Sequence, residues 1–281
     1  MQHKIPLLIV AGPTASGKTS LAIDLCEQYG GEVISADSMQ IYTGMDIATA
    51  KPTAEQMAGM PHHLIGVIEP SERFSVMQYC ALAHAAIADV HSRGKLPVLC
   101  GGTGLYIRAV IENWQLTEGE IVHDVIGTWE ELREIDPQAA AKIHPNDSKR
   151  INHALALFRS TGVTLTAQNE QSQRLGTPYN ARMIYLVADD RQLLYDRINA
   201  RVDEMLAQGL VDEARAMPQG TAAQAIGHKE LQPYLRGEAS LEECVERLKM
   251  ETRRYAKRQI TYFGRLAKEM GGKCELQEIG A

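Results

Sequence analysis

Apolar residues in this chain follow two rhythms that alternate along its length. Residues 5–11, IPLLIVA, form an unbroken apolar run that stops at Gly12, the pattern of a strand buried on both faces. Residues 18–29 carry apolar positions at helical spacing (Leu21, Ile23, Leu25, Cys26) and stop at Gly30-Gly31. A second short strand is expected over EVISAD, 32–37, and a helix over 74–94 with Gly94 at its C-terminal end. KLPVLCGGTGLYIRAVI then repeats the order of strand, glycine turn and helix. Strands alternating with helices predict a parallel sheet.

The texture changes after Ile111. Residues 112–180 contain no run that reads as a buried strand: TWEELREIDPQAAAKI and SKRINHALALFRSTG read as amphipathic helices, and AQNEQSQRLGTPYN as a polar loop. A strand over RMIYLVAD, 182–189, and a helix over 191–209 resume the earlier pattern. The expected fold is therefore α/β, a P-loop NTPase-like core with a parallel sheet flanked by helices, built from 1–111 and 181–281, plus a helical inserted domain over 112–180. No internal repeat or low-complexity tract interrupts this plan.

A chain of 281 residues is long enough to bury a full-sized core. Its hydrophobic content of 44% and charged content of 23% are those of an ordinary soluble protein. No apolar run approaches the roughly 20 residues a membrane span needs. The first apolar run is too short for a signal peptide and leads straight into a glycine-rich loop, so a cytoplasmic location is expected. Five scattered cysteines without a C-x-x-C pair point to reduced thiols, against both a disulfide framework and a zinc site. The adjacent His62 and His63 have no Cys, His or acid nearby at ligand spacing, which disfavours a metal there.

Net charge is −6, which by itself discourages a polyanionic partner. The distribution changes the picture: residues 247–268 carry eight Lys/Arg against a single acid, Glu251. Basic residues gathered on one element can face a polyanion whatever the total charge.

The candidate chemistry starts at Gly12, Pro13, Thr14, Ala15, Ser16, Gly17, Lys18 and Thr19, which match G-x-x-x-x-G-K-[ST] between a strand and a helix. Backbone N–H groups of such a loop and the following helix N-terminus point at a phosphate; Lys18 adds charge, and the Thr19 hydroxyl is placed for Mg²⁺. The loop reports a di- or triphosphate. Hydrolytic machinery does not accompany it. The one apolar strand ending in an acid is EVISAD, with Asp37; LPVLC runs into Gly101-Gly102-Thr103-Gly104, and no N-K-x-D guanine reader occurs.

The segments GPTASGKT (12–19), ISADSMQIYTGMDIATAKPT (34–53), PHHLIGVIEP (61–70), GGTGLYI (101–107), IHPND (143–147) and RRYAKRQITYF (253–263) occur here in one order. Together they closely resemble the bacterial tRNA dimethylallyltransferases, over almost the whole chain. That resemblance implies transfer of a dimethylallyl group from dimethylallyl diphosphate to N6 of adenine 37, beside the tRNA anticodon, with the P-loop holding the departing diphosphate. It implies Asp37 as general base, Thr103 lining the channel where adenine and diphosphate meet, and Arg201 as a diphosphate clamp; a guanidinium fork suits phosphate oxygens. It also implies tRNA contacts. Asp37, Ser38, Met39, Gln40 and Thr103 would surround the flipped base, with the Gln40 amide offered to a neighbouring purine. Ser148, Lys149, Arg150, Ile151 and Asn152, together with Gln224, His228, Lys229, Lys257, Arg258 and Gln259, would meet the anticodon stem-loop, with Tyr255, Tyr262 and Phe263 interleaved for packing or stacking. Mg²⁺ is the implied cofactor, and a monomer is expected.

Two departures stand out. The stretch 112–130 is shorter than the family's, without the arginine near a D-P pair that reaches tRNA. His228 and Tyr262 replace a usual Tyr and a usual Trp. The rival readings are an adenylate isopentenyltransferase, which would not need the insertion or KRQITYF, and a P-loop small-molecule kinase, for which a lid arginine set is lacking. An NTP-switched binding module fits poorly with the missing hydrolytic residues.

Overall fold

The computed structural model describes residues 4–114, 125–218, 220 and 222–279; residues 115–124, in the middle of the shortened 112–130 stretch, lie outside them. The chain divides into two compact units, Met1–Ile111 with Pro178–Ala281, and Glu112–Thr177.

The first unit holds, in chain order, β1 (Ile5–Ala11), α1 (Lys18–Tyr29), β2 (Gly31–Ser35), α2 (Ala54–Met57), β3 (His62–His63), α3 (Val76–Ser92), β4 (Leu96–Gly101) and α4 (Gly104–Ile111). The second unit supplies α5 (Trp129–Ile135), α6 (Pro137–Ala140), α7 (Ser148–Thr161) and α8 (Leu165–Leu175). The first unit resumes with β5 (Tyr179–Val187), α9 (Arg191–Ala207), α10 (Leu210–Ala216), α11 (His228–Leu235), α12 (Leu241–Met270) and β6 (Cys274–Glu278).

Among the described residues, six strands pair in the order β3-β2-β4-β1-β5-β6, every neighbouring pair parallel. The apolar run of β1 lies between β4 and β5, with Ala11 in register with Gly101 on one side and Tyr185 on the other. Ile9, Val10 and Ala11 are fully buried, as continuous apolar strands in a helix-covered sheet must be. The carboxyl ends of β1, β2 and β4 therefore come out side by side, the edge where open parallel sheets bind ligands. Tyr79 of α3 fixes the β2 end from beneath: it stacks on Tyr106, with ring centroids 3.9 Å apart, and its hydroxyl donates to the Ser35 carbonyl at 2.9 Å.

Glu32 on β2 is a carboxylate at 1% exposure, made tolerable by Arg93, Lys95 and His63, whose nitrogens lie 2.5, 2.6 and 2.7 Å from its oxygens. Those bonds hold its carboxyl far below the usual range, the Arg93 bonds most, against the upward push of burial.

In the second unit the Asp136-Pro137 pair breaks the expected long helix into α5 and α6. Asp136 is buried there, accepting from Ala139 N and from both the backbone N–H and the hydroxyl of Thr166. Leu132, Ile151, Ala154 and Leu155 form the core, and Trp129 Nε1 donates to the Ala140 and Ile143 carbonyls.

Three elements depart from the sequence reading. Residues 165–175 form a helix where a polar loop was expected, because Thr164 caps it through Ala167 N and its Ala, Gln, Glu and Leu residues favour helix without an apolar stripe. Strand β5 begins at Tyr179 rather than 182, and β6, an exposed edge strand of sequence CELQE, was not anticipated.

Candidate active site

The loop between β1 and α1 folds as a phosphate cradle must. Gly17 takes φ 84° and Ala15 φ 62°, left-handed conformations that turn successive amides inward. A Cβ on Gly12 would press at 3.0 Å on both Leu186 Cβ and Ser16 Oγ, so only glycine lets the loop start this close to β5. Ser16 Oγ is buried and has no hydrogen-bond partner among the described residues, an orphan donor inside the loop. Lys18 Nζ folds back onto the Pro13 carbonyl at 2.6 Å. Burial draws the Lys18 ammonium down to about 8, Arg201 adding to the fall while Cys100 and Asp37 oppose it.

Asp37 follows the end of β2. Its Oδ1 accepts from Met39 N at 2.9 Å and Gln40 N at 3.3 Å, an Asx turn that aims the carboxylate; Oδ2 makes no hydrogen bond among the described residues. Thr103, after β4, holds this turn: Oγ1 accepts from Ser38 N at 3.0 Å and donates to Ser38 Oγ at 3.3 Å. Backbone bonds from Thr103 N to the Ala36 carbonyl and from Ala36 N to the Cys100 carbonyl close the joint. A Cβ on Gly101 would overlap the Ala36 backbone, so the strand ends meet there only through glycine.

A cavity of about 870 Å³ opens over these residues, lined by the loop, Lys18, Thr19, Asp37 and, from α9, Arg201. The sequence places Arg201 on a surface helix, but it is half-buried and faces the cavity, and burial pulls its guanidinium down against the attraction of Asp37. A carboxylate, the loop amides and two cationic side chains line one space. Thr103 lies behind the Asp37 turn.

The donor set suits Mg²⁺. Thr19 offers a hydroxyl at this cavity, and the described residues contain no cluster of three or more His, Cys, Asp or Glu able to hold a metal alone. Mg²⁺ commonly takes one or two protein ligands and completes its shell with water and phosphate oxygens.

Comparison with known proteins fixes the family. The IPP transferase family model matches residues 40–266, and the isopentenyl transferase model matches 5–66. A tRNA dimethylallyltransferase of Caldanaerobacter subterraneus is 47% identical over 279 residues, covering 92% of this chain and 89% of that protein. The chain belongs to the tRNA dimethylallyltransferase family. Another member, from Halalkalibacterium halodurans, is 46% identical over 92% of this chain and 88% of its own length. The crystal structure of a full-length tRNA isopentenylpyrophosphate transferase from Bacillus halodurans superposes with a TM-score of 0.73 at 43% identity, covering 98% of this chain and 90% of that one. A eukaryotic dimethylallyltransferase acting on tRNA gives 0.86 at 29% identity, covering 98% and 74%.

For a dimethylallyltransferase the acceptor-side residues matter as much as the cradle. Ser148, Lys149 and Arg150 on α7 are exposed, as are Gln224, Lys229, Lys257 and Arg258. Other residues expected at tRNA are engaged internally; among them, Asn152 Oδ1 accepts from Gly127 N at 3.1 Å. Ile151, at 2% exposure, is a core residue of the second unit, because α7 turns that position inward. His228 is fully buried, with Nε2 on Glu213 Oε1 at 2.8 Å. Gln259, at 5% exposure, accepts from Thr14 N at 2.8 Å and donates to the Gly102 carbonyl at 2.9 Å. The Gln40 amide, expected to face a purine, is taken by Ser35 Oγ and by the Thr49 and Ala50 carbonyls.

Two residues escaped sequence reasoning. Glu213 of α10 accepts the backbone N–H groups of Asp46, Ile47 and Ala48 at 2.8, 2.7 and 2.9 Å, and so holds a wall of the cavity. Tyr255, read only for packing or stacking, lines the cavity; burial pushes its phenol up to about 12, and Asp37 adds to the rise. A lone Glu in VDEARA carries no motif, so nothing local could have marked it.

Proposed function

We propose that this chain transfers the dimethylallyl group of dimethylallyl diphosphate to N6 of adenine 37 in tRNA, releasing diphosphate. The observation that carries the reading is the meeting of an anion cradle and Asp37 in one cavity, with Thr103 bracing the Asp37 turn from behind, in a member of this family. An exocyclic adenine amine is a weak nucleophile, its lone pair spread into the ring. It needs a base for its proton and an electrophile whose leaving group is already stabilised. Asp37, held by its own turn and by Thr103 through Ser38, takes the N6 proton. Lys18, the loop amides, the orphan Ser16 hydroxyl and the half-buried Arg201 fork stabilise charge growing on the diphosphate as the C–O bond at the allylic carbon breaks. Thr19 would hold a Mg²⁺ ion that neutralises diphosphate oxygens when bound.

The exposed cations Arg254, Lys257, Arg258 and Arg265 on α12 supply a face for tRNA phosphates. Among the described residues no helix is long and apolar enough to cross a membrane. Incubation with total tRNA, dimethylallyl diphosphate and Mg²⁺ should produce N6-dimethylallyladenosine on nucleoside analysis. Prenylation of free AMP in preference to tRNA, or phosphoryl transfer from ATP, would overturn the reading.

A further inference from the structure

Residues of the long helix α12 reach both glycine turns of the site. Tyr255, Gln259 and Tyr262 stand at i, i+4 and i+7, spacings that share a helix face. Gln259 ties Thr14 N of the phosphate loop to the Gly102 carbonyl of the turn after β4, one amide satisfying an acceptor need and a donor need at once. The backbone is cut away to admit these side chains: a Cβ on Gly102 would overlap Gln259 Nε2, and one on Gly104 would overlap the Tyr262 ring. The Thr14 amide, spent on Gln259, is turned to the helix instead of to an anion. The exposed side of the same helix carries Arg254, Lys257 and Arg258.

We propose that Gln259 is a positioning residue for the transfer reaction: it locks the Gly12–Gly17 loop to the Gly101–Gly104 turn, fixing the diphosphate cradle against Thr103 and the Asp37 turn. The inference rests on the reading of the loop as a diphosphate cradle. Leu lacks both bonding atoms, Glu keeps the acceptor for Thr14 and loses the donor for Gly102, and Gly102→Ala pushes on the same bond with Gln259 present. An unfixed loop no longer meets the allylic carbon and the amine in register, and misplacement on the scale of 1 Å costs roughly a hundredfold in rate.

The test compares wild type with Gln259→Glu, Gln259→Leu and Gly102→Ala. It reads kcat at saturating donor and tRNA, the dissociation constant of an anticodon stem-loop RNA, and that of inorganic diphosphate with Mg²⁺. The clamp predicts kcat falling in the order wild type, Glu, Leu, the last by about ten- to a hundredfold, with RNA affinity within about twofold and weaker diphosphate binding. Gly102→Ala should match the Leu variant. Unchanged kcat with weakened RNA binding would make Gln259 a tRNA contact and overturn the proposal, as would wild-type kinetics and diphosphate binding throughout. Should wild type bind diphosphate yet prenylate no RNA, the transfer reading fails while the diphosphate arm still decides the clamp.

Discussion

Removing the Glu213 carboxylate should destabilise the fold and distort the cavity together. Glu213 Oε2 accepts from Asp46 N and Ile47 N, Oε1 accepts from Ala48 N and meets His228 Nε2, and the side chain is 10% exposed. Asp46 is exposed, so water can replace its bond after truncation; Ile47 and Ala48 are half-buried and His228 fully so. Two half-buried donors and one buried imidazole then lose their acceptor, and at about 1 kcal/mol each Glu213→Ala costs about 3 kcal/mol. At roughly 2 °C per kcal/mol for a chain of this size, Tm falls by about 6 °C. Glu213→Gln keeps one carbonyl and loses the charge, so it should lie between, since charge-assisted bonds are about twice as strong as neutral ones. Thermal unfolding followed by circular dichroism reads this directly. Because Ile47 lines the cavity, kcat/KM should fall in the Ala variant even where the protein is fully folded. Burial raises the Glu213 carboxyl, but the His228 bond and the Ile47 and Ala48 amides outweigh it and leave it lowered. Its contribution is therefore complete above the ordinary carboxylate range and is lost as pH falls through the depressed folded value. An Ala variant melting within about 1 °C of wild type would refute this account, because three orphaned groups cannot be that cheap.

Other consequences can be tested separately. Glu32→Ala removes the shared partner of Arg93, Lys95 and His63 and should destabilise the fold, seen as a lower denaturant midpoint at unchanged slope. Lys18, with its ammonium drawn down to about 8, loses its charge as pH rises through that value in the free protein. Diphosphate binding should weaken from there upward, less so in Lys18→Arg, with the ligand's own titration common to both by calorimetry. Affinity for tRNA should fall steeply with salt, and Lys257→Ala with Arg258→Ala should reduce the slope of log K against log salt by about 1.5. An unchanged slope would remove that face of α12 from the interface.

The cradle, the alternation of strands and helices, and Asp37 at the end of β2 were legible because each depends on residues near in sequence: a glycine pattern, an apolar run, a carboxylate at a strand end. The helix α8 was hidden by its lack of an apolar stripe, and β6 by its exposure on a sheet edge. Joints that make the cavity were illegible for a different reason. Gln259 meets Thr14 across 245 positions and Glu213 meets Ile47 across 166, pairings that only the packed α12 and α10 bring about. Resemblance marked Gln259 and Gln40 as important but gave them to tRNA, whereas burial and bonding use their amides to shape the site. A side chain's chemistry can be read from its type; its partner depends on the fold.

Single-turnover transfer by Asp37→Ala, at saturating dimethylallyl diphosphate and tRNA, tests the central claim most directly. Loss of the base should slow transfer by about a hundredfold to ten-thousandfold, with donor affinity nearly unchanged because the cradle is intact. Transfer at the wild-type rate would show that another group takes the adenine proton.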